Sequence, residues 1–179
     1  MLKKIISGGK TGEDQAALDV AINFRIPHGG WIPKGRKTEA GTLPDKYMLK
    51  EMVSPSYPKR TEQNVIDSDA TLIISRGQLT GGSLLTLEFA EQHRKEWLHI
   101  DLEINRGFSA AQLIQSWIVL NGIKVLNVAG PRANEDPYIY EDTVRLLKAV
   151  NQLFFIDRKK FSAGDLKHFY PRTVDDAID

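Results

Sequence analysis

Ser7-Gly8-Gly9-Lys10-Thr11-Gly12-Glu13-Asp14 packs three glycines, a cation, two hydroxyls and two acids into eight residues. Glycine lets a backbone come close to a ligand, and the unpaired N–H groups of a helix start attract anions. A second turn, Arg76-Gly77-Gln78-Leu79-Thr80-Gly81-Gly82-Ser83, follows another apolar run in the same way. Thr80 or Ser83 could cap the next helix there or donate to a phosphate oxygen. Lys34 and Arg36 follow Ile32, and Arg132 follows Gly130-Pro131. With Lys10 and Arg76 these cations would form a local positive crevice suited to a phosphate or another oxyanion. The plainer alternative for each glycine is a tight turn, and for each cation a solvated charge.

Two familiar phosphate motifs do not fit. Gly9-Lys10-Thr11 would end a P-loop, but Lys4 stands where its first glycine belongs. GxGxxG is absent, and the second strand runs into Trp31-Ile32-Pro33 without a ribose-binding acid. There is no cysteine, and His28, His93, His99 and His168 lack metal-ligand spacing, so no protein-ligated metal is expected. The net charge is +1, too little to draw nucleic acid. The N-terminal MLKKIISGG has too short an apolar run for a signal peptide, and no stretch approaches the ~20 apolar residues of a membrane span. A cytoplasmic protein is expected.

The elements that must hold these turns alternate along the chain. Apolar runs at Leu2–Ser7, His28–Ile32, Ala70–Ser75, Trp97–Ile100 and Lys124–Ala129 predict strands. Helical spacing predicts helices over Asp14–Phe24, Lys59–Ile66, Ser83–Arg94, Ser109–Leu120 and Tyr138–Leu153. Four prolines and two glycines make 33–58 mainly loop, with one helical turn near Tyr47–Met52. The expected fold is α/β, a Rossmann-like, doubly wound, mostly parallel sheet of about five to seven strands with helices on both faces. Residues 1–153 would form the ligand-binding domain. Residues 154–179 would be an appendage packed on that domain or on a neighbouring subunit.

The first turn, continued through Gln15-Ala16-Ala17-Leu18-Asp19, resembles the opening motif of the molybdenum cofactor carrier proteins. That family is related to the YpsA-like and "lonely guy" phosphoribohydrolases. Gly29-Gly30-Trp31-Ile32-Pro33-Lys34-Gly35-Arg36, Arg60-Thr61-Glu62-Gln63-Asn64-Val65 and Asp67–Ser75 are similar to it as well. So are Leu79–Thr86 and Asn127-Val128-Ala129-Gly130-Pro131-Arg132. The resemblance covers roughly residues 3–150. It implies a small homo-oligomer, dimer or tetramer, that binds the molybdenum cofactor (molybdopterin) or a nucleotide by its phosphate. The expected contacts in the first turn are Gly8, Gly9, Thr11, Gly12 and Asp14. In the second they are Arg76, Gly77, Thr80, Gly81, Gly82, Ser83 and Thr86, with Lys34, Arg36 and Arg132 alongside.

The related phosphoribohydrolases carry GGxGTxxE, whose glutamate acts in N-glycosidic cleavage. Here Gly81, Gly82 and Glu88 keep the spacing, Leu84 and Leu85 replace the third glycine and the threonine, and Thr86 sits one position late. Three functions therefore compete. A non-catalytic binder of a phosphorylated ligand is favoured. An enzyme cleaving nucleoside monophosphates with Glu88 as general acid/base is the alternative. A DNA-binding or signalling module is the third reading, and the near-neutral charge disfavours DNA.

Overall fold

The structure, a computed structural model, describes residues 2–160. Along these residues run β1 (Lys4–Ile6), α1 (Glu13–Asn23), β2 (His28–Gly29), β3 (Trp31–Ile32), β4 (Lys37–Thr38), β5 (Gly41–Thr42) and β6 (Lys50–Glu51). There follow α2 (Tyr57–Ile66), β7 (Ala70–Ser75), α3 (Gly81–Gln92), β8 (Glu96–Asp101), α4 (Gly107–Leu120), β9 (Val125–Ala129) and α5 (Ile139–Lys160).

The main sheet has five strands in the order β2-β1-β9-β7-β8, every neighbouring pair parallel. All six residues of β7 are buried, as an inner strand covered on both faces requires. Register sets Ile5, Leu126 and Ala70 on one face, with Leu72, Val128, Ile74 and Ile100 further along it. Against that face pack Ala17 and Val20 of α1, Ile114 and Ile118 of α4, and Leu147 and Val150 of α5. The pair α2 and α3 pack on each other and cover the opposite face. That face holds a buried polar pair, Asn127 Nδ2 donating to Thr71 Oγ1 at 3.2 Å.

The chain winds outward from β1 to β2 and outward the other way from β7 to β8. Between β1 and β7 lies β9, so the winding reverses at the middle of the sheet. In such sheets a ligand crevice opens beyond the carboxyl ends of the strands at the reversal. Both glycine turns and the loop after β9 lie there.

Three sequence expectations change. The strand expected over His28–Ile32 breaks at Gly30, which takes a φ of +121° and sends β3 to pair with β6. No helical turn forms at Tyr47–Met52; Tyr47 and Leu49 are buried while Met48 and Lys50 are exposed, the alternation of an extended segment. Leu43, Tyr47 and Leu49 join Leu18 and Ile32 in a small second core. The last helix does not stop at Leu153 but runs to Lys160. The rest of the expected appendage, 161–179, lies outside the described residues. No described helix is long and apolar enough to cross a membrane.

Candidate functional site

The first turn is braced by Asp14. Its Oδ2 accepts the Lys10 N–H at 3.1 Å, and Ser7 Oγ lies 3.0 Å from its Oδ1 and 2.7 Å from the Val128 carbonyl. Arg60, brought in by α2, sets Nη1 3.6 Å from Asp14 Oδ2, with both side chains buried. Gly8 makes this possible, because a Cβ there would overlap the Arg60 guanidinium. Burial lowers the Arg60 pKa, with Asp14 acting in the opposite sense. Apart from that ion pair, the guanidinium makes no hydrogen bond to a described residue, and its Nε is wholly buried without a partner. A buried cation with unused donors is costly unless an anion takes them.

Lys10 and Arg132 complete the cluster. Lys10 Nζ stands over the Tyr57 ring at 3.9 Å, and Arg132 Cζ is 5.8 Å from the same ring centre. Burial, then the charges of Arg60 and Arg132, bring the Lys10 pKa down to about 8. From the β4–β5 hairpin comes Glu39. Its Oε2 accepts from Thr11 N–H at 3.3 Å and from Thr11 Oγ1 at 3.2 Å, and its Oε1 lies 3.2 Å from Arg132 Nε.

The glycines of this turn seat protein groups. A Cβ on Gly9 would come within 2.8 Å of Leu43 Cδ2 and 2.9 Å of Leu49 Cδ2. One on Gly12 would meet the backbone of Pro131, Arg132 and Ala133 at 2.6–2.9 Å. The second turn differs: a Cβ on Gly81 or Gly82 meets nothing within 4 Å. As the first residues of α3, both keep N–H groups without an intrahelical partner. Thr80 occupies the N-cap position but makes no side-chain cap bond.

Beside this second turn lies a cavity of about 400 Å³ whose walls include Ser75, Arg76, Thr80, Ser83, Pro131 and Asp136. Ser75 Oγ is 2.8 Å from His99 Nε2, and burial pushes the His99 imidazole pKa down. The loop after β9 thus touches both turns, closing on Gly12 at one side and lining the cavity at the other.

Several expected contacts are committed elsewhere. Arg36 donates to the Leu49, Tyr47 and Pro44 carbonyls at 3.1–3.4 Å and so holds its own loop together. Arg76 pairs with Asp136 and Asp142. Gly77 N–H donates to Asp101 Oδ1 at 2.8 Å, and Thr86 Oγ1 donates back to the Gly82 carbonyl at 2.8 Å. Lys34 is exposed outside the cluster. Glu88 is exposed on α3 and makes no hydrogen bond or ion pair to a described residue. Among the described residues no three His, Asp or Glu side chains converge as a metal site would need.

Glu39 and Tyr57 escape the motif reading. Glu39 sits in a loop 28 residues from Thr11, and only the hairpin's direction joins them. Glu13 escapes it too. An acid in the first turn of a helix ordinarily serves the dipole, yet this one is fully buried and neither oxygen has a partner. Its spacing to Ala17 and Val20 puts it on the apolar stripe of α1, which is the signal that could have flagged it.

A parallel sheet whose winding reverses at its middle, with glycine turns at its carboxyl edge, defines a Rossmann-like α/β fold. The chain belongs to the circularly permutated YpsA SLOG family, whose pattern matches residues 5–151. It is also similar, at 58% identity, to a solved protein of Syntrophus aciditrophicus SB that carries the name "putative molybdenum carrier protein". The two share a TM-score of 0.82 over 83% of this chain and 94% of that one. No curated protein matches the chain.

Proposed function

We propose that the protein is a non-catalytic carrier that grips a phosphorylated cofactor or nucleotide by its phosphate at the first turn. The observation that supports this most directly is the buried Arg60 guanidinium, whose Nε has no partner and whose one ion pair is to Asp14, beside Lys10 and Arg132. The rest of the ligand would lie along the loop after β9 toward the open backbone of Gly81 and Gly82. The name of the 58% identical relative makes the molybdenum cofactor the first ligand to try. Its metal would stay on the cofactor's own sulfurs, and the protein would hold the phosphate end. The phosphoribohydrolase alternative loses ground because Glu88 is exposed and pairs with no described residue.

Titration calorimetry with molybdopterin and AMP, each beside its dephosphorylated form, tests this. The phosphorylated forms should bind, and Arg132→Ala should weaken them about ten- to a hundredfold, as loss of a charged hydrogen bond does. Equal affinity for the dephosphorylated forms would sink the proposal.

Lys10 adds a pH dependence. It faces Arg60, Arg132, Asp14 and Glu39 and titrates near 8. An anionic ligand favours its charged form, so binding is fully supported below that pH and weakens as pH rises through it. Below about pH 6 the phosphate itself loses charge. Affinity should therefore peak between about 6 and 8, and a dissociation constant flat to pH 9.5 would contradict a role for Lys10.

We read the expected oligomer onto α4, where Leu113 and Leu120 lie seven residues apart on one stripe and are both exposed. Replacing both by glutamate should lower the sedimenting mass if subunits meet there. An unchanged mass would remove α4 from consideration.

A further inference from the structure

The occupant of the first turn says more about the ligand than the turn does. Glu39 stands at the bend of its hairpin, where Thr38 Oγ1 donates to the Gly41 carbonyl at 2.8 Å and accepts the Ala40 N–H at 3.2 Å. Its carboxylate leaves the hairpin and takes the donors that an anion at the start of α1 would take: Thr11 N–H, Thr11 Oγ1 and Arg132 Nε. Burial would raise the Glu39 pKa, but backbone N–H groups, Arg132 and Lys10 outweigh it and hold the carboxylate below its ordinary range. It is ionised, and it is bound as a ligand is bound.

We propose that Glu39 is a tethered stand-in for the ligand's phosphate, and that displacing it sets the charge the ligand must bring. The proposal rests on the phosphate reading above. Lys10, Arg60 and Arg132 face two carboxylates, Asp14 and Glu39, which leaves one positive charge over. When the hairpin tip swings away, two remain. A phosphate monoester carries about −1.5 to −2 near pH 7 and neutralises them. A phosphodiester carries −1, so it only replaces Glu39 charge for charge.

The diester must also compete with a tethered group whose effective concentration is on the order of millimolar. Asp14 offers no such exchange, because it is locked by Lys10 N–H and Ser7 and is a permanent part of the turn. The ligand class selected is thus a terminal phosphate monoester, such as a pterin or nucleoside monophosphate. Phosphodiesters, whether nucleic acid or a dinucleotide bridge, are rejected.

NMR titration of the wild type, Glu39→Gln and Glu39→Ala with glycerol 3-phosphate and with dimethyl phosphate tests this. In the wild type the monoester should bind at least about tenfold tighter than the diester. Both substitutions should tighten both probes by about tenfold, because each probe displaces the same tethered carboxylate, and the monoester should keep its preference, because the cluster left after displacement still carries two positive charges. Amide exchange at residues 37–42 should quicken when the monoester binds to the wild type, as the tip is released.

If the monoester binds the wild type but Glu39→Gln leaves its affinity unchanged, the stand-in idea is overturned while the phosphate site survives. Weaker binding by both variants overturns it too, by making Glu39 part of the ligand's own site. If neither probe binds any variant, the phosphate site and the stand-in fall together.

Discussion

Alanine at Gly30 should cost the fold about 3–5 kcal/mol, a large share of a total stability of about 5–15 kcal/mol. Gly30 takes a φ of +121° and lies against the end of β1. A Cβ there would overlap the Ser7 carbonyl oxygen and come within 2.9 Å of the Ser7 nitrogen and 3.1 Å of Asn64 Oδ1. None of these can retreat cheaply. Ser7 N–H is bonded to the Gly29 carbonyl at 3.1 Å, and Asn64 Oδ1 accepts the Trp31 N–H at 2.8 Å.

Gly35 supplies the control. It has a φ of +91°, yet a Cβ there meets only the Lys37 side chain, at 3.8 Å and beyond. Gly35→Ala carries the backbone strain alone, about 1–2 kcal/mol. Urea unfolding of the two variants measures the difference. Equal losses would show that close approach to β1 is not what Gly30 provides.

Glu13 gives the second large effect. Burial, then the neighbouring Asp14 charge, pushes its pKa well above the ordinary 4.5. The folded protein therefore keeps a proton that the unfolded chain releases. The stability this contributes is fully present below about pH 4.5 and is lost as pH rises toward the raised folded value. The slope approaches about 1.4 kcal/mol per pH unit for one proton.

Glu13→Gln keeps the shape and cannot ionise, so its stability relative to the wild type should climb as pH rises above about 4.5, until the raised folded value is reached. Denaturant titrations at several pH values give the difference directly, and parallel curves would refute a neutral Glu13. The protonated state also serves the site. A charged Glu13 would offset the pull of the α1 start on an anion; a neutral one leaves it intact.

The layers of the fold were legible because apolar runs such as Ala70–Ser75 can only be inner strands. The connection from 33 to 56 was not. Its strands are two residues long, and their partners are set by Gly30 and by the burial of Leu43, Tyr47 and Leu49, which no local period announces. The site divides the same way. Lys10, Thr11 and Arg132 follow strand ends and could be named in advance. Arg60 stands out in sequence only as part of a family-like segment, and its place beside Asp14 shows only once Gly8 is seen to leave room for it. Turn glycines are equally ambiguous in sequence: Gly12 accommodates the loop after β9, while Gly81 and Gly82 face open space.

The central place of β9 decides when the protein can become a protein at all. During synthesis β1, β2, β7 and β8 emerge first, yet β1 and β7 have no partner on their inner sides until residues 125–129 arrive. Before that, the nascent chain holds two half-sheets with bare edges, a state prone to pairing with other chains. Long-range closure of this kind folds slowly. The loop carrying Arg132 follows at once, so insertion of the last strand and assembly of the Lys10, Arg60 and Arg132 cluster are one event. A phosphorylated ligand at the proposed site would then act as a clasp on the newest joint, and cells starved of it should accumulate aggregated chain before they lose folded protein.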